Sequence, residues 1–447
     1  MLFRLIQDTW QGFCRTVVAV FYRRVEIDGL ANLPETGAVL LCANHANALA
    51  DAVILQAVIP RLLHPVARSG LFKNWLLKPF MLIMQAVPIY RRQDKGADMK
   101  SNLDAFECCY EMFEQGEVIL LFPEGQSHSD PGLRKIKSGA ARMILGSNKK
   151  SIPVTVLPVG LTFSNKGKFR SNIFIKLGEP VVVASDSDGD VQAVRELTVD
   201  IQQAIESVTI NVDEADDLDF LKGVERFFAM RHGKYRHRNM ALRFQALQKI
   251  NHAYLQLREF APQQLSQLKH KLHQYERLCD NWKINAYQVT IQYTPSLVTR
   301  FILRSLLIIL VVLPVGIWGI INSYIPFILT RHLAKLISKD RDQYDTSKMV
   351  LGLSFFPLFW AGQIWWISSH ISMLSLIIYI VSLPVSAAAA LFLRREQHRI
   401  LDNLRVFFLF IRKRKLKKYL ENRRQELERE LARLVRLAKQ IKVSKSS

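Results

Sequence analysis

Residues 40–55 read LLCANHANALADAVIL, and this stretch decides how the first half of the chain is interpreted. An apolar run that ends at Ala43 is typical of a buried strand, and a helix is expected to begin a few residues later. At such a turn, His45 would present one ring nitrogen to a substrate hydroxyl, while the carboxylate of Asp51 would hold the other ring N–H. The stretch therefore predicts a general base with its orienting partner. The plainer alternative is an ordinary helix start with a surface carboxylate.

The surrounding sequence indicates an α/β domain over residues 21–212, with a mixed sheet flanked by helices. Its short apolar runs alternate with helical patterns. After an acidic segment, two long helical patterns meet at Pro262 and predict an antiparallel helical hairpin over residues 213–297. The expected strands are residues 38–43, 118–122, 154–163 and 173–177.

The composition excludes several classes of protein. Of the 447 residues, 49% are hydrophobic and 22% are charged, so the chain is neither fibrous nor generally disordered. Its five cysteines lack C-x-x-C spacing, which argues against a disulfide framework or a zinc site and favours a reducing compartment. The formal net charge of +22 indicates an anionic partner. Residues 394–447, a basic tail with 18 Lys and Arg against 6 Asp and Glu, contribute +12 of that charge.

Two apolar stretches, residues 301–329 and 349–393, are long enough to cross a bilayer, since about 20 helical residues span about 30 Å of hydrocarbon. We therefore expect an integral membrane protein with membrane-embedded helices over residues 298–393. Prolines and glycines interrupt the first stretch, which is either one kinked span or a re-entrant pair of half-helices. The positive-inside bias favours the re-entrant alternative. The second stretch is expected to contain two spans that meet near residues 368–372.

The two ends of the chain also suggest membrane contact. Residues 1–20 show helical spacing of apolar residues without a signal-peptide cleavage site. They predict either an amphipathic helix in the membrane interface, with Trp10 and Phe13 toward lipid, or a helix packed on its own domain. The basic tail is expected to be cytoplasmic and to attract anionic lipid headgroups. Within it, residues 421–442 fit a surface-lying helix or a short coiled coil that would form a homo-oligomer.

A second block with possible chemistry comes about forty residues after the histidine. Arg91 and Arg92 follow a short apolar run, and the planar fork of arginine suits a phosphate, although a solvated basic turn is the plainer interpretation. Another block, residues 152–163, reads IPVTVLPVGLTF and is a strand without chemistry of its own. It is expected to line a pocket with apolar side chains.

The remaining block is FPEGQS at residues 122–127, directly after a predicted buried strand. Gly125 permits close approach of a ligand to the backbone, and Ser127 is able to donate a hydrogen bond. Lys137 adds positive charge for an anion. The block therefore predicts part of an anion-binding site.

The order of these four blocks resembles the glycerophosphate acyltransferase superfamily, enzymes that pass an acyl chain from a thioester to a hydroxyl of a lipid precursor. The resemblance covers residues 25–180. Most of that family has four residues between histidine and aspartate, whereas here that position is Ala50 and the aspartate comes one residue later. The longer spacing is similar to the subgroup that includes fungal glycerol-3-phosphate/dihydroxyacetone-phosphate acyltransferases. One residue turns a helical side chain by about 100°, so the local turn must differ if the contact is kept.

The resemblance implies roles for particular residues. His45 would take the proton from the acceptor hydroxyl as it attacks the thioester, and Asp51 would orient the imidazole. The donor would be acyl-CoA or acyl carrier protein, and the acceptor glycerol 3-phosphate, dihydroxyacetone phosphate or 1-acylglycerol 3-phosphate. No metal ion and no bound organic cofactor are expected. The expected substrate-binding residues are Asn47, Arg91, Glu124, Gly125, Ser127 and Lys137.

Three other functions compete with this one. Ser127 would be a covalent nucleophile if the string GQSHS were a lipase elbow, but Ser129 stands where G-x-S-x-G has its second glycine. A non-catalytic lipid-binding or scaffold protein is a second alternative. Nucleic-acid binding is disfavoured because the basic cluster at residues 412–418 directly follows an apolar run beside the membrane stretches. The expected location is the bacterial inner membrane or the endoplasmic reticulum, with the catalytic domain and the tail cytoplasmic.

Overall fold

The computed structural model describes residues 2–73, 78–90, 101–183, 191–231, 239–291, 293–338 and 340–446. The chain divides into two compact units. The first comprises residues 1–218, 239–245 and 338–349, and the second comprises residues 219–238, 246–337 and 350–447. Several predicted boundaries differ from these units, and residues 239–245 of the predicted helical hairpin belong to the first unit. Residues 338–349, which the sequence assigned to the membrane helices, belong to the unit that carries the α/β fold.

One mixed sheet of seven strands forms the first unit, in the order β1-β7-β6-β2-β5-β3-β4. This arrangement confirms the predicted α/β class. Strands β2 to β6 run parallel to one another, β7 is antiparallel to β6, and β1 is parallel to β7. The strands are β1 (Arg24–Asp28), β2 (Ala38–Ala43), β3 (Leu63–Arg68), β4 (Val87–Ile89), β5 (Val118–Leu121), β6 (Val154–Phe163) and β7 (Asn172–Leu177).

Helices cover the sheet and form most of the second unit. A π-helical turn, Ile308–Val312, joins two of them, and short 3₁₀ turns occur at Leu30–Asn32 and Arg341–Gln343. Among the described residues, the α-helices are α1 (Leu2–Phe21), α2 (Leu49–Val58), α3 (Ser69–Phe72), α4 (Lys78–Ile83), α5 (Ser101–Glu114), α6 (Gly139–Lys149), α7 (Val191–Ser207), α8 (Ala215–Arg231), α9 (Met240–Phe260), α10 (Pro262–Asn281), α11 (Ala286–Val289), α12 (Pro295–Leu307), α13 (Leu313–Ile337), α14 (Tyr344–Ser368), α15 (Met373–Arg412) and α16 (Arg414–Ser446).

Strand β2 lies inside the sheet, and all six of its residues are buried. Alternate side chains enter two different hydrophobic clusters: Leu41 packs with residues of α1 and α2, whereas Leu40 packs with residues of α5, α6 and α7. A strand covered on both faces is continuously apolar, which is why the sequence revealed it. Because β2, β4 and β5 are parallel, their carboxyl ends lie at the same edge of the sheet. The motif blocks follow those ends.

Helix α1 packs on its own domain. Trp10, Cys14 and Val17 are at most 6% exposed, and the indole of Trp10 lies 5.7 Å from the ring of Phe80 in α4. The expectation that Trp10 faces lipid is wrong, because α2 and α4 cover that side of the helix. Phe13 is partly exposed, so only a narrower part of the helix is open to another surface.

Three helical segments in the described residues are long and apolar enough to cross a membrane: Pro295–Ile337, Tyr344–Ser368 and Met373–Arg412. The first is one continuous path through α12, the π-turn and α13, in place of the favoured pair of half-helices. Its glycines lie within the helix, where they allow close contact with α15. A Cβ on Gly319 would lie 2.0 Å from the carbonyl oxygen of Ser386.

The other boundaries in this unit follow from caps and packing. The predicted break near residues 368–372 is present between α14 and α15, and Ser372 caps the second helix. The predicted boundary at residue 394 is not a structural break, because α15 continues to Arg412. Helix α16 packs on α10 of the same chain, and its buried side chains include Leu427 and Leu431. The apolar face that suggested a coiled coil is therefore covered within the chain.

Candidate active site

A tight turn at the carboxyl end of β2 carries the predicted histidine and aspartate. Helix α2 begins at Leu49, and Ala48 before it has φ 44° and ψ −130°. Few residues with a Cβ adopt this backbone conformation. The turn brings the first helical turn back toward the strand end, so that Asp51 Oδ2 lies 3.0 Å from His45 Nδ1. The local difference that the longer spacing requires therefore lies at Ala48.

The carboxylate of Asp51 is fixed from several directions. Its side chain is fully buried, and Oδ2 accepts hydrogen bonds from the backbone N–H groups of Ala46 and Asn47, both at 2.7 Å. The same oxygen contacts His45 Nδ1. Because a carboxylate accepts, this arrangement assigns the ring hydrogen of His45 to Nδ1 and leaves Nε2 as the basic nitrogen.

The imidazole of His45 is held by its face as well as by its edge. It stacks on the ring of Phe122, with the ring centroids 4.0 Å apart and the planes 17° from parallel. The side chain is 17% exposed, and Nε2 has no hydrogen-bond partner among the described residues. One ring nitrogen is thus fixed by the protein and the other is open, which is the arrangement that a general base requires.

Glu124 joins the histidine turn to the FPEGQS block. Its Oε1 accepts the backbone N–H of His45 at 2.7 Å, and its Oε2 accepts the backbone N–H of Arg134 at 3.0 Å. The same Oε2 contacts Nε2 of His128, and the backbone N–H of His128 donates to the carbonyl of His45. The carboxylate is buried, so these bonds fix the turn in place. That Glu124 also contacts the acceptor stays a prediction.

The FPEGQS block turns sharply at Gly125, whose φ is +76°. A Cβ there would lie 2.6 Å from Nζ of Lys137, so glycine allows the exposed lysine side chain to pass close to the turn. The backbone N–H of Lys137 donates to the carbonyl of Pro123 at 2.8 Å, which fixes the lysine beside the block. Ser127 donates a hydrogen bond to the carboxylate of Asp342.

Of two further residues predicted to bind substrate, the structure describes Asn47 but not Arg91. Asn47 is fully buried, and its side-chain amide has no hydrogen-bond partner among the described residues. Arg91 and Arg92 lie outside the described residues. The chain before them is fixed, because Tyr90 and Asn102 exchange two hydrogen bonds of 2.8 Å beyond the end of β4. Roles for Asn47 and Arg91 in binding stay predictions.

The structure adds three residues that the sequence analysis did not single out. His128 directly follows FPEGQS, and the sequence could have pointed to it as a polar residue beside a motif. Asp342 lies between α13 and α14, and Thr346 lies in the first turn of α14. Both are about 200 to 300 residues away from their partners, and no pattern in the sequence marks them. Among the described residues, no group of three His, Cys, Asp or Glu side chains is arranged to hold a metal ion.

Comparison with known proteins places this geometry in a family. Residues 24–162, which contain both the histidine turn and the FPEGQS block, match the family model described as Acyltransferase. This match and the yeast relatives support the glycerophosphate acyltransferase superfamily for this part of the chain. Glycerol-3-phosphate O-acyltransferase 2 of Saccharomyces cerevisiae is 31% identical to it over 141 residues, which are 30% of this chain and 19% of the yeast protein.

Two further similarities have limited extent. Glycerol-3-phosphate O-acyltransferase 1 of the same yeast is 27% identical over 128 residues, 27% of this chain and 17% of that protein. The chain thus spans about a fifth of the length of the curated relatives it matches. The crystal structure of the 1-acyl-sn-glycerophosphate acyltransferase PlsC from Thermotoga maritima is 19% identical, covers 46% of this chain and 79% of its own, and superimposes with a TM-score of 0.36.

Proposed function

We propose that this protein transfers a fatty acyl group from acyl-CoA or acyl carrier protein to a hydroxyl of a glycerol-type phosphate in glycerophospholipid synthesis. The observation that carries the proposal is the imidazole of His45, which Asp51 holds at one ring nitrogen while the other is open. The acyltransferase family match supports it. The names of the two yeast relatives favour glycerol 3-phosphate as acceptor over dihydroxyacetone phosphate and 1-acylglycerol 3-phosphate.

In the proposed reaction, Nε2 of His45 removes the proton of the acceptor hydroxyl while its oxygen attacks the thioester carbonyl. The carbon–sulfur bond then breaks, the new ester forms, and the imidazolium returns the proton to the leaving thiolate. Asp51 holds Nδ1–H throughout and stabilises the positive ring. A positioned base of this kind contributes about 10² to 10⁴ in rate. The transfer is direct, with no acyl-enzyme.

The acceptor phosphate needs positive charge near the base. We assign Lys137 to this role, because its Nζ lies beside Gly125 at the same edge of the sheet as His45. Arg91 is assigned to the same phosphate, since β4 ends two residues before it at that edge. Gly125 and Ser127 would shape the site around the acceptor.

A membrane is the proposed location of the second unit. Its three long apolar helices expose large side chains over much of their length: Leu310 is 66% exposed, Trp365 79% and Leu374 71%. A surface of this kind is stable against lipid and unstable in water. The protein would thus hold its active domain where acyl products accumulate, with the catalytic domain and the basic tail on the cytoplasmic side.

The lipase alternative is weaker on geometry. A nucleophile elbow places serine between a strand and a helix beside a histidine base. Here Ser127 donates to Asp342, and the next helix, α6, begins only at Gly139. A fluorophosphonate probe decides the point. We expect no labelling of Ser127, whereas strong labelling that is lost in Ser127→Ala would refute direct transfer.

The proposed function is tested with the purified chain, long-chain acyl-CoA and each acceptor in turn. We expect free thiol to appear only when a phosphorylated glycerol-type acceptor is present, with the acylated product identified by mass spectrometry. Glycerol without phosphate serves as the matched control and should not react. Binding of acyl-CoA without thiol release for any acceptor or donor would favour the lipid-binding alternative and contradict the proposal.

A further inference from the structure

The segment Ser338–Met349 follows α13 and includes the first six residues of α14, yet it belongs to the unit with the active-site sheet. Two of its side chains contact the motif blocks. Asp342 accepts the hydrogen bond of Ser127, and Thr346 contacts the turn that carries His45 and Asp51. The catalytic domain of this chain is therefore completed by residues far beyond the family match, which ends at residue 162.

The contact of Thr346 is a two-sided hydrogen bond. Its Oγ1 donates to the carbonyl of Asn47 at 3.0 Å and accepts the N–H of Ala50 at 3.1 Å. These two residues flank Ala48, the residue in the rare backbone conformation. The N–H of Ala50 also donates directly to the carbonyl of Asn47 at 3.0 Å, so the hydroxyl bridges both sides of the turn and reinforces a backbone hydrogen bond that closes it. Asp51 is the residue that follows Ala50.

The rest of the segment is anchored to the same unit. Asp345 Oδ2 accepts the N–H of Gly167 at 3.1 Å, and Lys348 Nζ donates to the carbonyl of that glycine. Met349 is 4% exposed and packs in the hydrophobic cluster that includes Leu41. These contacts fix Thr346 against the turn from a rigid base, which a single flexible side chain would not achieve.

We propose that Thr346 is a positioning residue of the acyl transfer: its hydroxyl bridges the Ala48 turn and so holds Asp51 on His45. This inference rests on the proposed function of the His45–Asp51 pair. Thr346 does not reach the reacting atoms and acts through Asp51. Loss of the hydroxyl should loosen the turn, reduce the fraction of molecules with the His45–Asp51 contact, and so lower kcat without weakening substrate binding.

The test compares three variants of the full chain in detergent micelles. Thr346→Val keeps the branched shape and removes the hydroxyl, Thr346→Ser keeps the hydroxyl, and Ser347→Ala changes a neighbour that bonds to Ser338 instead of the turn. We expect Thr346→Val to lower kcat about three- to tenfold with KM changed less than about twofold, the size of one lost hydrogen bond. Thr346→Ser and Ser347→Ala should match the wild type within about twofold.

Hydrogen exchange read by mass spectrometry supplies a second measurement that does not need activity. Peptides covering residues 44–58 should exchange faster in Thr346→Val than in the wild type, Thr346→Ser or Ser347→Ala, while peptides from β5 and α6 stay unchanged. Unchanged exchange in Thr346→Val, or faster exchange across the whole chain, would overturn the inference. If the wild type is active and Thr346→Val has the same kcat, this inference is refuted and the proposed function is not. An inactive wild type refutes the proposed function, and exchange still decides whether Thr346 holds the turn.

Discussion

At the residue scale, the site is built around one buried carboxylate in each motif block. Asp51 holds the imidazole of His45, and Glu124 holds the backbone on which that histidine stands. Buried carboxylates need hydrogen-bond donors, and both residues accept backbone N–H groups. All the donors to Asp51 reach Oδ2, while its buried Oδ1 has no hydrogen-bond partner among the described residues. The two carboxylates therefore have a structural role as well as a chemical one, because they hold the histidine turn and the FPEGQS block against each other.

Replacing Glu124 by Gln should destabilise the domain. The change replaces one carboxylate oxygen by an NH₂ group, which cannot accept hydrogen bonds from the three donors around the side chain. Hydrogen bonds to a charged group contribute roughly 1.5–3 kcal/mol each. We expect the thermal midpoint to fall by roughly 4–8 °C, measured by intrinsic fluorescence. Glu107→Gln is the matched control, because Glu107 and Lys150 form an exposed ion pair that contributes little. Equal midpoints for the two variants would contradict this assignment.

The backbone at Ala48 predicts an unusual gain. A residue with a Cβ held at φ 44° and ψ −130° costs about 1–3 kcal/mol, and glycine relieves that cost. Ala48→Gly should keep full activity and keep or raise the thermal midpoint. Ala46 is a neighbouring residue that does not have a positive φ. Ala46→Gly should therefore lower the thermal midpoint by an amount equivalent to about 0.5–1 kcal/mol of stability. A drop in Ala48→Gly as large as in Ala46→Gly would show that the turn is unstrained.

How much of the site could be predicted depended on sequence distance. His45 and Asp51 lie six residues apart beside a fully apolar strand, so the local pattern suggested their contact beside the plainer alternative of an ordinary helix start. Asp342 and Thr346 reach the site only through the fold, and a lone Asp or Thr between apolar helices carries no local signal. The turn at Ala48 was required by the spacing, but alanine gives no sign of positive φ.

At the element scale, glycine had two meanings that the sequence did not separate. Gly316 and Gly319 suggested breaks in the first apolar stretch, yet both are buried in α13 where it contacts α15. Helix α1 shows the same limit: its apolar spacing fits lipid and protein equally, and only the buried Trp10 decides for protein. Periodicity gives the element and its apolar face, whereas the partner of that face comes from the tertiary structure.

Two glycines in the apolar helices should therefore respond differently to alanine. In Gly319→Ala, the new Cβ meets the Ser386 backbone at 2.0 Å, so α13 and α15 must separate. In Gly362→Ala, nothing lies within 4 Å, and helix propensity improves by about 1 kcal/mol. We expect a lower thermal midpoint in detergent for Gly319→Ala only. A midpoint for Gly319→Ala at or above that of Gly362→Ala would contradict the packing.

At the scale of the whole molecule, chain connectivity constrains the membrane arrangement. Residues 239–245 and 338–349 belong to the unit with the α/β sheet, whereas residues 246–337 between them belong to the other unit. A pair of crossings by α14 and α15 would put residues 338 and 446 on the same side of the membrane.

Single cysteines test this arrangement. A membrane-impermeant maleimide applied to vesicles of known orientation should label cysteines at Ser338 and Ser446 from the same side. A cysteine at Ser369, in the turn between α14 and α15, should be labelled from the opposite side. Labelling of Ser338 and Ser446 from opposite sides would contradict the paired crossings.

The native thiols give this labelling a low background. Cys14, Cys42 and Cys109 are buried, and burial raises the pKa of each thiol to about 12. Since the thiolate is the reactive form, these three residues should react slowly near neutral pH. The unsubstituted chain is the control that measures what remains.

The most direct test of the central claim is the rate of acceptor-dependent thiol release in His45→Ala. A base that removes the acceptor proton predicts a loss of about 10² to 10⁴ in kcat, with the chain still folded and with acyl-CoA binding retained. His252→Ala, an exposed histidine on α9, should keep wild-type activity. If folded His45→Ala retains more than about a tenth of the wild-type rate, His45 is not the base and the account fails.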